Sequence, residues 1–375
     1  MKELLAEEIV MYLSARKAIT YDDVQIVPRY SETKHRADIK TECRLVKDIM
    51  ITHPLIPANM DSISSIDMCM VAENFDGFCF LHRFKGDIHE YLSEIRELWV
   101  AGHNVVGVSL GTSDHDKWVA EQIVQEFRNK KLKFVFLIDV AHGHHVLVKE
   151  MIHHLKGSYP WIPVIAGNVA TYQGAYDLCE WGADGIKVGV GPGSLCTTRI
   201  NTGAGVPQFS AVAMARKAVD NWCEKEGIPL EVDGPTIIAD GGIKWPGDIL
   251  KAIGAGANTV MSGYLFAGTD CTPGNIHLKG LFPNQTEWKV YRGSASRESK
   301  LDRGETSNIE GESTEILYKG SGSTERIFME TLDGIKSGLS YAGHENLNDA
   351  VGDIHFTLVS DSSITEAGPN ALYRN

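Results

Sequence analysis

One cysteine stands where a nucleophile could be displayed. Cys196 closes the run Gly191-Pro192-Gly193-Ser194-Leu195-Cys196, and Thr197 and Thr198 follow it. Glycines let a backbone turn sharply and expose its N–H and C=O groups to a ligand. A thiol on such a loop can be approached from outside and can become the thiolate that attacks an electrophilic carbon. An isolated cysteine is more often a small apolar packing residue. The loop around Cys196 is what favours the reactive reading. The other six cysteines, at positions 43, 69, 79, 179, 223 and 271, sit in helical, strand or linker contexts and are expected to be structural.

Two further loops have the composition of anion cradles. Asp240-Gly241-Gly242 follows one apolar run, and Gly263-Tyr264 follows another. Backbone N–H groups in such turns, and the helix starts behind them, attract phosphate even on an acidic protein. Asp240 cannot bind phosphate itself but can hydrogen-bond a ribose diol. His142-Gly143-His144-His145 has the look of a metal tract, but a zinc site needs three or four ligands held by defined elements, and no partner cysteines or carboxylates accompany it. A solvated or helix-capping role is expected there. The chain has no P-loop lysine motif and no HExxH.

These residues need a scaffold that brings them together. Eight short apolar runs recur, at 55–60, 77–82, 105–110, 134–140, 163–169, 185–190, 236–241 and 258–263. They lack polar alternation, as expected of strands buried on both faces of a parallel sheet. Helical spacing of apolar residues separates them, for example over 116–130 and 145–155. Eight alternating units predict an α/β protein with a closed (β/α)8 TIM barrel. An open doubly wound sheet is disfavoured, because the glycines at 189, 191 and 193 have the wrong spacing for GxGxxG and follow the sixth strand. The strand ends carry Asn59 with Asp61, His82 with Arg83, Ser109, Asp139 with His142, Asn168, the 191–196 loop, Asp240 and Gly263. Any one of these could simply cap a helix. Polar or flexible endings after all eight strands point to one shared site at the barrel rim.

Beyond the eighth strand, residues 292–315 are polar and rich in Gly and Ser, and are expected to form a mobile flap without regular structure. A helix is predicted over 323–343, and the tail from about 357 is again polar. The 375 residues are read as a single domain over 1–375. A net charge of −13 with no basic run makes nucleic acid a poor partner. The absence of long apolar stretches excludes a membrane-spanning helix. The first residues, MKELLAEEIV, do not have the pattern of a secretory signal. An odd, scattered cysteine count suggests reduced thiols and a cytoplasmic location.

The motifs, taken in order, resemble the IMP dehydrogenase/GMP reductase family. They are YDDVQIVPRYS (21–31), PANMDS (57–62), LHRF (81–84), LIDVAHGH (137–144), VIAGNV (164–169), GADGIKVGVGPGSLCTTR (182–199), IIADGGI (237–243), YLFAG (264–268), YRGSAS (291–296), and the stretch from IEGE (309–312) to SYAG (340–343). The resemblance implies a (β/α)8 barrel, a homotetramer, and a role for each matching position. Cys196 would attack C2 of a purine nucleotide, GMP or IMP, with Thr198 and Glu310 moving protons. Ser194, Gly241, Gly242, Gly263, Tyr264 and Tyr291 would hold the phosphate, and Asp240 the ribose. Gly293, Ser294, Ala295 and Ser296 would read the base edge. Asp139, Asn168, Gly189 and Gly191 would meet the nicotinamide cofactor. Backbone carbonyls of Gly191, Gly193 and Cys196 would hold potassium, with help from the Glu366 segment of a neighbouring subunit.

Two reactions share this scaffold. One oxidises IMP to XMP with NAD; the other reduces GMP to IMP and ammonia with NADPH. The reductive reaction is expected here. The interval from Phe84 to Val105 is too short for the paired CBS modules that most dehydrogenases insert, and between Tyr291 and Glu310 the chain holds Arg297 and Arg303 but no further tyrosine to pair with an arginine in activating water. The segment SSITEAGPN (362–370) instead resembles a dehydrogenase tail, so a CBS-less IMP dehydrogenase is the alternative, and a non-catalytic regulatory paralogue a second one.

Overall fold

Buried apolar runs become strands here because both of their faces are covered, inside by each other and outside by helices. The computed structural model describes residues 4–6, 8, 9 and 17–367. Its strands β1 (Leu55–Pro57), β2 (Phe80–Leu81), β3 (Val105–Leu110), β4 (Lys133–Asp139), β5 (Val164–Val169), β6 (Gly185–Val188), β7 (Thr236–Asp240) and β8 (Thr259–Ser262) form one parallel sheet. β8 pairs with β1, and the ladder then runs through β7, β6, β5, β4 and β3 to β2. The sheet curls until its two outer strands are the sequence neighbours β1 and β2, giving a nearly closed (β/α)8 barrel. All eight expected strands are present, several shorter than their apolar runs.

Helices alternate with the strands: α1 (Ile66–Asn74), α2 (Ile88–Val100), α3 (Asp114–Phe127), α4 (Val146–Ser158), α5 (Tyr172–Glu180), α6 (Gln208–Glu226) and α7 (Pro246–Gly254). Ser65, Asp87, Ser113 and Thr171 each accept a backbone N–H from the first turn of their helix. His145 caps α4 through its ring nitrogen, as expected for the histidine tract. Only α2 lies between β2 and β3, so no module is inserted there. Among the described residues no helix is long and apolar enough to cross a membrane.

Residues 292–315 differ from the sequence expectation. They are not a structureless flap. A three-stranded antiparallel sheet of β9 (His277–Lys279), β10 (Thr286–Arg292) and β11 (Ser313–Leu317) brackets them, and helix α8 (Arg297–Asp302) lies within. The polar residues that suggested disorder supply local hydrogen bonds instead: Ser296 caps α8, and Arg292 pairs with Asp61 and Asp302. Helix α9 (Ser323–Ala342) then packs against α7 and α1 and completes the outer ring. The polar tail also begins as structure. Strand β12 (His355–Leu358) lies between Leu4–Leu5 and Val24–Ile26, and a short helix follows over Asp361–Glu366. Residues 368–375, the end of the predicted tail contact, lie outside the described residues.

Candidate active site

The strand ends and the 292–315 segment enclose a cavity of about 630 Å³ at the C-terminal rim of the barrel. It is lined by residues from both expected phosphate loops, from the cysteine loop and from the segment around Glu310. At its centre three side chains form a hydrogen-bonded series. The Cys196 thiol donates to Thr198 Oγ1 over 3.1 Å, and Thr198 Oγ1 donates to Glu310 Oε2 over 2.8 Å. Cys196 is part-exposed, whereas Cys43, Cys69, Cys79, Cys179 and Cys223 are buried; Cys271 is also part-exposed but does not line the cavity.

Backbone hydrogen bonds bring Glu310 to this point. Thr197 N–H donates to Glu310 O at 3.0 Å, Glu310 N–H to Ala295 O at 3.0 Å, and Glu312 N–H to Leu195 O at 2.9 Å. Two turns separated by more than a hundred residues are thereby stitched together. The cysteine loop leaves β6 at Gly189, whose φ of +152° is open to glycine; a Cβ there would meet Asp240 O at 2.2 Å. That close approach sets the loop directly against the end of β7.

The floor of the cavity is a charged network. Lys187, on β6 and only 2% exposed, reaches Asp139 Oδ1 at 2.9 Å and Asp240 Oδ2 at 2.6 Å. Asn168 donates to the same Asp240 oxygen and to Gly189 O, both at 2.8 Å. Both of its N–H contacts are to acceptors, so the amide orientation is fixed. Asn168 Oδ1 is then buried without a partner. Burial by itself lowers the Lys187 pKa, but the two carboxylates outweigh it and raise the pKa, so the ammonium stays charged. Asp139 is the mirror case: burial raises its pKa, and the charges of Lys187 and Arg83 bring it below the usual carboxylate value.

Most of the remaining expected residues also border this cavity. Ser194 Oγ and Tyr291 OH lie 3.1 Å apart, and Gly242, Gly263, Tyr264, Gly293, Ser294 and Ala295 all line the cavity. Gly241 and Gly242 have φ of +88° and +80°, a turn that favours glycine. The Gly241 N–H is engaged by Met261 O inside the barrel. Ser296 does not line the cavity: it is 0% exposed, caps α8, and its own N–H donates to Gly293 O. Gly189, Gly191 and Gly193 do line it. The Gly193 carbonyl accepts from Cys196 N–H at 3.1 Å.

Comparison of the sequence with known proteins points to one family. The family model described as IMP dehydrogenase / GMP reductase domain covers residues 18–370. The chain belongs to the IMP dehydrogenase/GMP reductase family. It is an oxidoreductase. A GMP reductase of Bacillus subtilis is 35% identical over 342 residues, spanning 91% of this chain and 96% of its own. One from Clostridium acetobutylicum is 34% identical over the same spans. An inosine-5'-monophosphate dehydrogenase of Borreliella burgdorferi is 29% identical over 412 residues, spanning 96% and 98%.

Several residues of this cavity were not anticipated. Lys187 sits inside an apolar strand, and a charge within a buried run was the signal that it needed a partner. Arg83 was noted at a strand end, yet its place was not: its Nε lies 4.0 Å from Asp139. Phe84, Lys300, Arg303 and Glu305 also line the cavity. Nothing in their spacing marked them.

Proposed function

We propose that the protein reduces GMP to IMP and ammonia, with NADPH as reductant and Cys196 as the nucleophile. The observation that carries this reading is the Cys196–Thr198–Glu310 series. As Cys196 Sγ bonds to purine C2, its proton moves to Thr198, whose own hydroxyl proton passes to Glu310. Glu310 returns a proton through Thr198 to the departing amine, which leaves as ammonia. A nicotinamide dinucleotide, when bound, supplies the hydride that C2 accepts in place of the amine. Expulsion of the Cys196 thiolate then releases IMP. The residues fit such a cofactor: the orphaned Asn168 Oδ1 is an acceptor for an amide N–H or a hydroxyl, and Asp139 beside it can take a ribose hydroxyl.

Hydrolysis of the covalent adduct, the step that separates the dehydrogenase reaction, needs a base for water. The 292–315 segment holds no tyrosine to pair with one of its three arginines for that task, and Arg292 is engaged by Asp61 and Asp302. Arg303 bonds to Ser294 O and Glu305, and Arg297 is exposed on α8. The relatives named GMP reductase support the same choice. The 29% identity to a named dehydrogenase keeps the oxidation of IMP as the second reading.

The protein is read as a homotetramer. Carbonyls of Gly191, Gly193 and Cys196 would hold potassium, since a donor set of backbone oxygens alone suits a large monovalent cation. The test is to supply GMP with NADPH and, separately, IMP with NAD, following absorbance at the reduced-nicotinamide band. Rapid loss of NADPH with GMP, and almost no XMP from IMP, is expected. Sustained XMP formation at a rate rivalling GMP reduction overturns the reductive reading. Repeating the assay with NADH, and with sodium in place of potassium, tests the two finer assignments.

A further inference from the structure

One contact between the 292–315 segment and the barrel has no part in the scheme above. Arg303, just past α8, lays its guanidinium over the ring of Phe84, 4.1 Å from the centroid. Phe84 is anchored from the barrel side as well, because the Arg83 guanidinium lies 4.6 Å from the same centroid. Arg83 itself faces Asp139 of the floor network. On the flap side, Arg303 donates to Ser294 O at 2.7 Å and to Glu305 Oε1 at 3.1 Å. Ser294 immediately precedes Ala295, whose carbonyl accepts the Glu310 N–H. A chain of contacts therefore runs from the floor, through Arg83, Phe84 and Arg303, to the backbone that holds Glu310.

We propose that Arg303 and Phe84 form a latch that holds the 292–315 segment on the barrel and so presents Glu310 to Thr198. Arg303 is a positioning residue: its hydrogen bonds go to Ser294 O and Glu305 rather than to Cys196 or Thr198, and it acts through Ser294 and Ala295. The chemistry of the contact suits this use. A guanidinium stacked on an aromatic face is attracted by the ring without needing a buried counter-ion, so the contact can form and release. Glu305 beside Arg303 and Asp139 beside Arg83 offset the repulsion of two cations sharing one ring. The inference rests on the reading of Glu310 as the proton carrier for GMP reduction.

The test is hydrogen exchange at the Glu310 and Glu312 amides together with steady-state kinetics, in the full chain. Arg303→Met and Phe84→Leu should each speed exchange at both amides by roughly 3- to 10-fold, the range of one cation–π contact. Each should lower kcat for GMP by a similar factor while KM for GMP stays within about twofold, because the phosphate loops are untouched. The double variant should be no worse than either single one, and Phe84→Tyr, which keeps a ring face, should keep exchange at both amides at the wild-type rate. With Glu310→Gln already present, Arg303→Met should no longer lower kcat. Unchanged exchange in both single variants overturns the latch, whatever the activity. Faster exchange with unchanged kcat overturns its service to Glu310, whereas a Glu310→Gln variant with undiminished kcat overturns the proton-carrier reading itself. If GMP is not the substrate at all, the exchange measurement still decides whether the latch exists.

Discussion

The floor of the cavity is charged, centred on the buried Lys187 and carried on barrel strands, whereas its roof is carried on a segment outside the barrel and held by backbone hydrogen bonds, the Arg292–Asp61 ion pair and one stacked ring. Lys187, Asp139 and Asp240 come from the ends of three strands whose positions the ladder fixes. Glu310 comes from a stretch between β10 and β11 and reaches the site through a single hydroxyl. A group that must keep its charge is best placed where geometry cannot relax. A group that must take up and release a proton is best placed where one hydrogen bond can be exchanged for another.

The largest test of this contrast is the thiol between the two walls. Cys196→Ala should lower turnover by about 10³-fold or more while leaving nucleotide affinity nearly intact, since the covalent step is lost but the phosphate loops remain. Titration of the variant with GMP, followed by an assay of the same sample, checks both halves. Turnover near the wild-type rate would remove Cys196 from the chemistry.

Next comes the floor. Lys187→Met leaves Asp139 and Asp240, each 21% exposed at the cavity, without their shared cation. Breaking a fully buried ion pair from one side costs about 3–5 kcal/mol and contact with the cavity discounts this, so the variant should unfold at lower denaturant and bind both nucleotides weakly. Denaturant melts and KM values measure this. A variant as stable as the parent would mean that the network is not what fixes the floor.

The roof should be softer. Glu310→Gln is expected to lower kcat by about 10²-fold, the usual scale of general acid catalysis, with the melting curve little changed. Glu312→Gln, two residues on, should change kcat little. Equal losses in the two variants would make the effect one of flap charge rather than proton transfer.

The smallest effect lies outside both walls. Asp270 follows β8 and accepts hydrogen bonds from Gly322, Ser323 and Thr324 at the start of α9. Partial burial pushes its pKa up, but these hydrogen bonds prevail and bring it down to about 2. Its stabilisation is therefore present above about pH 4 and lost as pH falls toward 2. Asp270→Ala should cost about 1–2 kcal/mol at neutral pH with unchanged kcat, and should flatten the acid limb of a stability profile. A drop in kcat here would mean that α9 communicates with the site.

What could be read in the sequence follows the same division. The eight strands were legible because burial on both faces leaves uninterrupted apolar runs. Cys196, Thr198 and the glycine-rich turns at Asp240–Gly242 and Gly263 could be singled out because each follows such a run, and they line one cavity. Strand limits were less so: β6 stops at Val188 because Gly189 leaves the extended conformation, and a β-branched run continuing to Val190 gave no sign of it. The roof was misjudged as structureless because its order comes from contacts distant in sequence, such as Arg292 with Asp61 and Arg303 with Phe84. Lys187 was passed over because a single lysine in an apolar strand does not say which carboxylates await it.

Strand β12 carries one more consequence, for the order in which the chain is made. It completes a three-stranded sheet with Leu4–Leu5 and Val24–Ile26, segments from the opposite end of the sequence. On the ribosome every barrel strand has emerged before β12 does, so these earlier segments wait for their partner strand until the whole barrel has been made. Closing so long a loop is slow and is rewarded only at the end. The small sheet is therefore the clasp that fastens last, and a chain stalled short of residue 355 would leave the ribosome with its barrel strands complete and its clasp open.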